Sequence, residues 1–292
     1  MSQFVHLHCH TEYSLLDGCN RINDMVKQAA ALGMPAMAMT DHGVMYGAVQ
    51  FYDACVKHGV KPLIGCEVYV AQRGMLDKEA GKDNRPYHFT LLAKDRVGYS
   101  NLCQLVSGGH LEGYYYKPRV DRAMLAKHSQ GLVALSGCLR GEVNAALLEG
   151  NPVGARTRLG ELRDIFGEDL FVELMDHGIE EQRVTNRELI RMARDMNLKL
   201  VATNDAHYLT KDDATIQDVL VCVQTGKSLA DTNRMKFFAP EFYVKSYEEM
   251  AQRFGELPDA LSNTLAVAER CDLKLDYESV YLPVFPCPDG LT

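Results

Sequence analysis

The sequence predicts an α/β barrel of seven strands, and three observations carry that prediction. Short apolar runs alternate with amphipathic stretches along 292 residues, the rhythm of a mostly parallel α/β architecture. Seven such runs are present, near 4–10, 35–40, 61–71, 87–93, 131–136, 170–175 and 199–204; seven strands separated by helices favour closure over an open sheet. Residues able to bind metals gather where several of these runs end, and in a barrel the C-terminal end of the strands carries the chemistry.

The first run, FVHLHCHTEYSLLDG, places His6, His8 and His10 at alternate positions, hence on one face of a strand. Three imidazoles on one face are poor core filling, because each needs partners for two ring nitrogens. They are natural ligands for first-row metals. A helix follows, with Met25, Val26, Ala29, Ala30 and Leu32 as its apolar stripe. The strand PAMAM then gives way to TDHG, which brings Asp41 and His42 to a strand end. After a helix stopped by Gly59, the run LIGCEVYV delivers Glu67.

Residues 73–86 are polar and aperiodic, so they read as a surface insertion. His88 opens its strand, PYHFTLLAK, where the other candidates close theirs, and by spacing it is the weaker candidate. Helical patterns cover 95–108 and 121–128, and LVALSG leads to Cys138 between glycines. Further helices at 141–149 and 152–166 precede the strand at 170–175. The helix EEQRVTNRELIRMARDMN then returns to LKLVATND, and Asp205 and His207 follow in NDAHY. Helices recur in DDATIQDVLVCVQTG, SYEEMAQRFG and PDALSNTLAVAERC. The tail YLPVFPCPDGLT has three prolines and no period, which suggests a barrel over 1–275 and a linker over 276–292.

With 47% hydrophobic and 24% charged residues the chain is of the globular class. No signal-peptide pattern and no apolar run of membrane-spanning length is present, so a cytoplasmic location with no membrane partner is expected. Nine cysteines without CxxC spacing argue against a disulfide framework. Cys9, Cys55, Cys66, Cys103 and Cys222 lie in apolar runs and read as core. The net charge of −8 opposes a polyanionic partner globally. Three divalent ions beside a Cys138 thiolate would bring it to about −3, with the whole gain at one spot.

Quoted together, FVHLHCHTEYSLLDG, LGMPAMAMTDHG, KPLIGCEVYV, ELMDHG, LVATNDAHY, CVQTGK and LPVFPCPDG resemble the PHP (polymerase and histidinol phosphatase) domain. The form they resemble begins the α subunit of bacterial DNA polymerase III. The resemblance implies a distorted seven-stranded (β/α) barrel with a trinuclear site of zinc and/or manganese. It implies nine ligands that are also the catalytic set: His8, His10, Asp17, His42, Glu67, His88, Cys138, Asp205 and His207. All nine positions hold a usable ligand here. The family's division gives one ion to His8, His10, Glu67 and Asp205. Glu67 bridges to a second ion on His88 and Cys138, and Asp17, His42 and His207 take a third. Asp41 and Asn204 are expected to orient ligands, and His6 to lie inside the barrel. His58, His110, His128 and His177 are expected to be structural or surface residues.

The activity so implied is a 3′→5′ exonuclease that proofreads DNA synthesis. Its partners would be a single-stranded 3′ end, polymerase domains of the same full-length DNA-directed DNA polymerase, and other replisome subunits. Two alternatives remain: a silent scaffold that docks a separate proofreading subunit, and a phosphomonoesterase of the histidinol phosphatase kind. For strand contact, Tyr114, Tyr115, Tyr116, Lys117 and Arg119 mix aromatic and basic groups, as do Lys227, Arg234 and Lys236 near Phe237 and Phe238. The same residues equally suit rim tyrosines and solvated charges.

Overall fold

Strand parity decides what this molecule encloses. The structure, a computed structural model, describes residues 4–280 and 282. Its strands are β1 (Ala36–Met39), β2 (Lys61–Val70), β3 (Tyr87–Ala93), β4 (Arg119–Val120), β5 (Leu132–Leu135), β6 (Leu170–Met175) and β7 (Lys199–Thr203). Its helices are α1 (Ile22–Ala31), α2 (Ala48–His58), α3 (Arg96–Leu111), α4 (Arg122–Lys127), α5 (Glu142–Leu148), α6 (Pro152–Phe166), α7 (Glu180–Met196), α8 (Ala214–Thr225), α9 (Tyr247–Phe254) and α10 (Pro258–Arg270). The sheet runs β1-β2-β3-β5-β6-β7, with the two-residue β4 paired to β2.

The first apolar run closes the ring. On one side, Ala38 N donates to His6 O and Thr40 N to Cys9 O; on the other, His10 N donates to Ala206 O and Ala206 N to His8 O. Residues 4–10 are thus the stave between β1 and β7, although their ladder holds a single bridge, Cys9 to Ala206. Every pairing is parallel except those of β3, which runs antiparallel to both β2 and β5. Six of the seven expected runs are therefore strands and the first is an irregular stave that completes the ring, with β3 reversed.

Inside, Val5, Leu7, Ala36, Ala38, Leu63, Leu92, Val133, Leu135, Phe171 and Val201 make one buried cluster. The alternate residues, such as Met37, Ile64, Leu91, Ala134, Val172 and Ala202, pack outward on the helices. Each buried aliphatic side chain of this kind is worth about 1.5–3 kcal/mol. His6 falls on the outward parity. It bonds Lys245 O through Nε2 at 3.0 Å and meets the Phe4 ring edge-on, so the expected interior position is corrected. The physical reason is a bend at His8, which turns the inward set from Val5 and Leu7 to His8 and His10.

Helix α10 stoppers the end where the parallel strands begin. Its Val267 and Ala268, with Cys271 just beyond, join the inner cluster. Thr264 Oγ1 accepts from Val5 N at 3.1 Å, Asn263 donates to Leu200 O, Lys61 donates to Ala268 O, and Arg270 pairs with Asp169. All four contacts are made where staves begin, which leaves the opposite end open for other chemistry.

The helices start where side chains supply the missing partners of the first turn. Asp95 accepts from Gly98 N for α3, Asp121 from Met124 N for α4, and Asn151 from Gly154 N for α6. Ser246 and Glu249 form a capping box for α9. Cys9, Cys55, Cys66 and Cys222 are buried as expected, whereas Cys103 is only partly so. No helix among the described residues is long and apolar enough to cross a membrane. Most of the expected linker over 276–292 lies outside the described residues. In its described part, Tyr277 Oη donates to Asp53.

Candidate metal centre

Above the aliphatic layer, the inward positions turn polar. Two residues on from Gly65, β2 presents Glu67; β6 places Glu173 after Phe171; β7 places Thr203 after Val201. The reversed direction of β3 explains His88. Running inward from Leu92 through Thr90, its first residues lie at the end where the other staves finish. A ligand that opens its strand therefore meets ligands that close theirs.

All nine expected ligands converge on this end. Glu67, only 1% exposed, is the centre. Its carboxylate lies 2.7 Å from His42 Nδ1, 3.0 Å from His88 Nδ1, 3.5 Å from His8 Nε2, 3.7 Å from His10 Nε2 and 3.8 Å from Cys138 Sγ. Asp205 Oδ1 faces His10 Nε2 at 3.0 Å, His8 Nε2 at 3.4 Å and His207 Nδ1 at 3.5 Å. Asp17 Oδ1 faces His42 Nε2 at 3.3 Å and His207 Nε2 at 3.9 Å. The His10 ring lies between those of His42 and His207, with centroids 4.1 and 4.2 Å away.

The backbone is specialised where it must be. Asp205 sits at φ +45°, a left-handed conformation uncommon outside glycine. Gly137, at φ +90°, turns the chain into Cys138, and a methyl group there would meet His88 O at 2.5 Å. A Cβ on Gly18 would lie 2.0 Å from Thr11 O, so the Asp17 loop folds tightly on the first stave.

Whether these residues fit an ion can be judged from their unmet bonding. Six of the nine, His8 (Nε2), His10 (Nε2), Asp17 (Oδ1), His42 (Nδ1), Glu67 (Oε2) and Asp205 (Oδ1), bury an atom with no hydrogen-bond partner. Buried polar atoms are almost always paired. These point at one another with short separations but without bonding geometry, as lone pairs shared by a cation would. Three groups bring ligand atoms close enough to hold an ion: His8–His10–Glu67, His42–Glu67–His88 and His10–His42–His207. The donor set fits divalent metal. His10, His42 and Glu67 each belong to two of these groups, so the division the resemblance implies, with Glu67 alone as the bridge, is less sharp here.

The electrostatics agree. Burial opposes ionisation of Glu67 most strongly, yet His88, His8 and His42 hold its carboxyl well below the usual range. Asp205 and Asp17 are also depressed against burial, by His8 and His207 in the first case and His42 in the second. Burial and the neighbouring His42 and His207 push His10 down to about 3. His42, despite burial, is drawn up to about 10 by Asp17 and Glu67. Burial, then Glu67 and Asp205, hold Cys138 as a thiol well above its ordinary value.

Supporting residues extend beyond the ligands. Asp41 accepts from Thr11 N, Thr11 Oγ1 and Ser14 Oγ, and Ser14 Oγ lies 3.0 Å from His10 Nδ1. The expected orienting role of Asp41 therefore runs through Ser14. Asn204 does not face a ligand side chain; it donates to Glu241 O and Tyr243 O and so ties down the segment after α8. His177 is satisfied by Asn204 O and Gln182 and stacks on Phe242 at 3.8 Å. His58 and His128 bond Asn23 and Asn101, away from the ligand cluster, whereas His110 bonds Gly43 O, next in the chain to His42. Glu173, 2.8 Å from His8 Nδ1, and Ser14 are absent from the sequence expectation. A carboxylate at an inward position of a buried strand was the available signal for Glu173.

Of the expected strand contacts, Tyr114 and Tyr116 are exposed, as are Lys227 and Lys236. Tyr115 packs beneath Arg119. Lys117 Nζ stands 5.2 Å above the Tyr69 ring, which stacks beside His42 at 6.2 Å, so this lysine reaches the rim of the cluster. Two expectations are corrected. Arg119 is 0% exposed and gives its donors to Gly113 O, Asp83 O, Met75 O and Asp77 O. Its fork of N–H groups pins the 73–86 insertion and touches no solvent. Arg234 is engaged in two bonds to Asp218. Phe237 meets His207 edge-on at 4.8 Å, so the aromatic part of that loop does border the cluster.

DNA polymerase III subunit alpha of Borreliella burgdorferi is 42% identical over 98% of this chain, and that of Treponema pallidum 43% over 98%. The chain spans 25% and 24% of those relatives, about a quarter of their length. A two-domain protein from Bacteroides vulgatus, described as containing a predicted PHP-like metal-dependent phosphoesterase, superposes with a TM-score of 0.43 and 16% identity over 90% of this chain and 63% of its own. The family model described as PHP domain matches residues 6–177, more than half of the sequence, and the chain belongs to that family.

Proposed function

We propose that this chain is a metal-dependent phosphodiesterase, a 3′→5′ exonuclease that proofreads DNA synthesis as part of a longer replicative polymerase like its relatives. The observation that carries the reading is the set of buried, unpaired atoms on His8, His10, Asp17, His42, Glu67 and Asp205, which face one another within the cluster. His8, His10, Glu67 and Asp205 would hold one ion, Glu67, His88 and Cys138 a second, and Asp17, His42 and His207 a third. Imidazole and thiolate donors suit zinc, and the more oxygen-rich positions suit manganese.

Ions there would polarise the phosphodiester and lower the pKa of water toward about 7. The protein's part is to hold the ligands ready. The depressed Glu67, Asp17 and Asp205 remain ionised, so the carboxylates need no deprotonation to bind. Cys138 and His42 surrender protons on loading, which couples occupancy to pH. Lys117, beside Tyr69 at the rim, is suited to steady a backbone phosphate, and the exposed Tyr114 and Tyr116 offer faces on which unpaired bases could stack.

The test is hydrolysis of a single strand carrying a label near its 3′ end, with metal-loaded protein, with chelator, and with His8→Ala. Stepwise loss of 3′ nucleotides that chelator and His8→Ala both abolish supports the proposal. An uncut strand with loaded wild type points to the scaffold, and preferential turnover of small phosphomonoesters points to the phosphatase.

A further inference from the structure

Glu173 lies behind the ligands, on the side away from the opening, with its side chain fully enclosed. Oε1 accepts from Thr203 Oγ1 at 2.6 Å and from His8 Nδ1 at 2.8 Å, and Oε2 accepts from Gly137 N at 3.1 Å. The Glu173 backbone N–H in turn donates to Ser136 Oγ, which fastens the same turn a second time. These contacts reach three staves. We infer that Glu173 is a positioning residue that sets three arms of the metal centre at once: His8 directly, Cys138 through Gly137, and Asp205 through Thr203 two residues upstream. The inference rests on the proposed reading that those arms hold ions.

A carboxylate accepts hydrogen bonds and gives none. His8 therefore keeps its proton on Nδ1, and its unpaired Nε2 is the atom turned toward Glu67 and Asp205. This is how an outer carboxylate fixes both the tautomer and the ring plane of a metal-binding histidine. Here one group also holds the Cys138 turn, so the nitrogen and sulfur arms are placed by the same two oxygens. Thr90 Oγ1, 3.3 Å from His8 Nδ1, is a weaker neighbour that cannot replace this grip.

The test uses metal binding, so it does not depend on whether the chain cuts DNA. Zinc affinity is measured by chelator competition for wild type, Glu173→Gln and Glu173→Asp, with the melting temperature of each ion-free protein. Cobalt-loaded samples add the thiolate-to-cobalt absorption that reports Cys138. A positioning role predicts that Gln and Asp both weaken zinc binding by ~10–100-fold and reduce the cobalt–thiolate band, because the shorter carboxylate cannot span His8 and Gly137. If only charge matters, Asp behaves as wild type, and the inference fails. If Glu173 is merely structural, melting temperatures fall while zinc affinity and the cobalt band stay unchanged, and it fails equally. Should either variant not fold, Thr203→Val, which removes one donor, is expected to weaken zinc binding several-fold; wild-type affinity in that variant overturns the inference. Wild type that binds no ion would instead overturn the metal-centre reading itself.

Discussion

The two ends of this barrel are built from the same staves and obey opposite rules. At the lower end, inward positions such as Leu63, Val133, Phe171 and Val201 are aliphatic or aromatic, and α10 seals them. Four residues further along β2 and two along β6, the same parity carries Glu67 and Glu173, and polar atoms are buried without partners. The apolar packing that stabilises the barrel lies below, and the proposed metal chemistry lies above. The upper layer is tolerated because the lower one holds its backbone in place.

The largest effect that could break this division is on activity. Glu67→Gln removes the charge that five ligand side chains face, and hydrolysis is expected to fall on the order of 10²–10³-fold, with fewer ions per chain and little change in the fold seen by circular dichroism. Its counterpart below, Phe171→Ala, is expected to cost about 3–5 kcal/mol in chemical denaturation while the folded fraction binds ions as before. Ion loss in that variant would show that the layers are not separable.

A third effect is linkage to pH. His42, raised to about 10, contributes stability that is whole below its ordinary value of 6.5 and is lost as pH climbs through 10. Glu67 and Asp205, depressed, contribute above their ordinary values and lose that contribution in acid. His10, pushed down to about 3, contributes the opposite way, its stability growing until the unfolded imidazole has lost its proton, so the ion-free protein should be most stable near pH 6.5 and lose stability on either side. Ion binding displaces the His42 proton, so affinity should rise with pH. Calorimetry at pH 7.5 in two buffers of different ionisation enthalpy should reveal proton release, and its absence would contradict the assignment.

The smallest effects separate rim from scaffold. Lys117→Ala should weaken single-strand binding and reduce the salt slope by about 0.7. Arg119→Ala should leave that slope unchanged and cost about 1–3 kcal/mol of stability, because buried loop carbonyls lose their donors.

Much of this was legible in the sequence, because period and chemistry coincided. The seven apolar runs and their helices announce the barrel, and His8, His10, Glu67 and Asp205 announce its open end. The irregularity of the closing stave was not legible: residues 4–10 bond both neighbours with almost no regular ladder. The parity of His6 was lost to the bend at His8. His88 looked misplaced only because strand direction cannot be read from a run of apolar residues; the antiparallel β3 restores it. Arg119 and Arg234 misled because a basic residue beside aromatics reads the same whether it faces solvent or pins a loop.

The proposed ions would sit among the nine converging side chains. The most direct measurement is anomalous diffraction from crystals of the loaded protein, recorded at the zinc and manganese absorption edges. Peaks flanking the Glu67 carboxylate that vanish in Glu67→Gln crystals are expected. Maps without a peak within bonding distance of Glu67, His8 and Asp205 would contradict this placement.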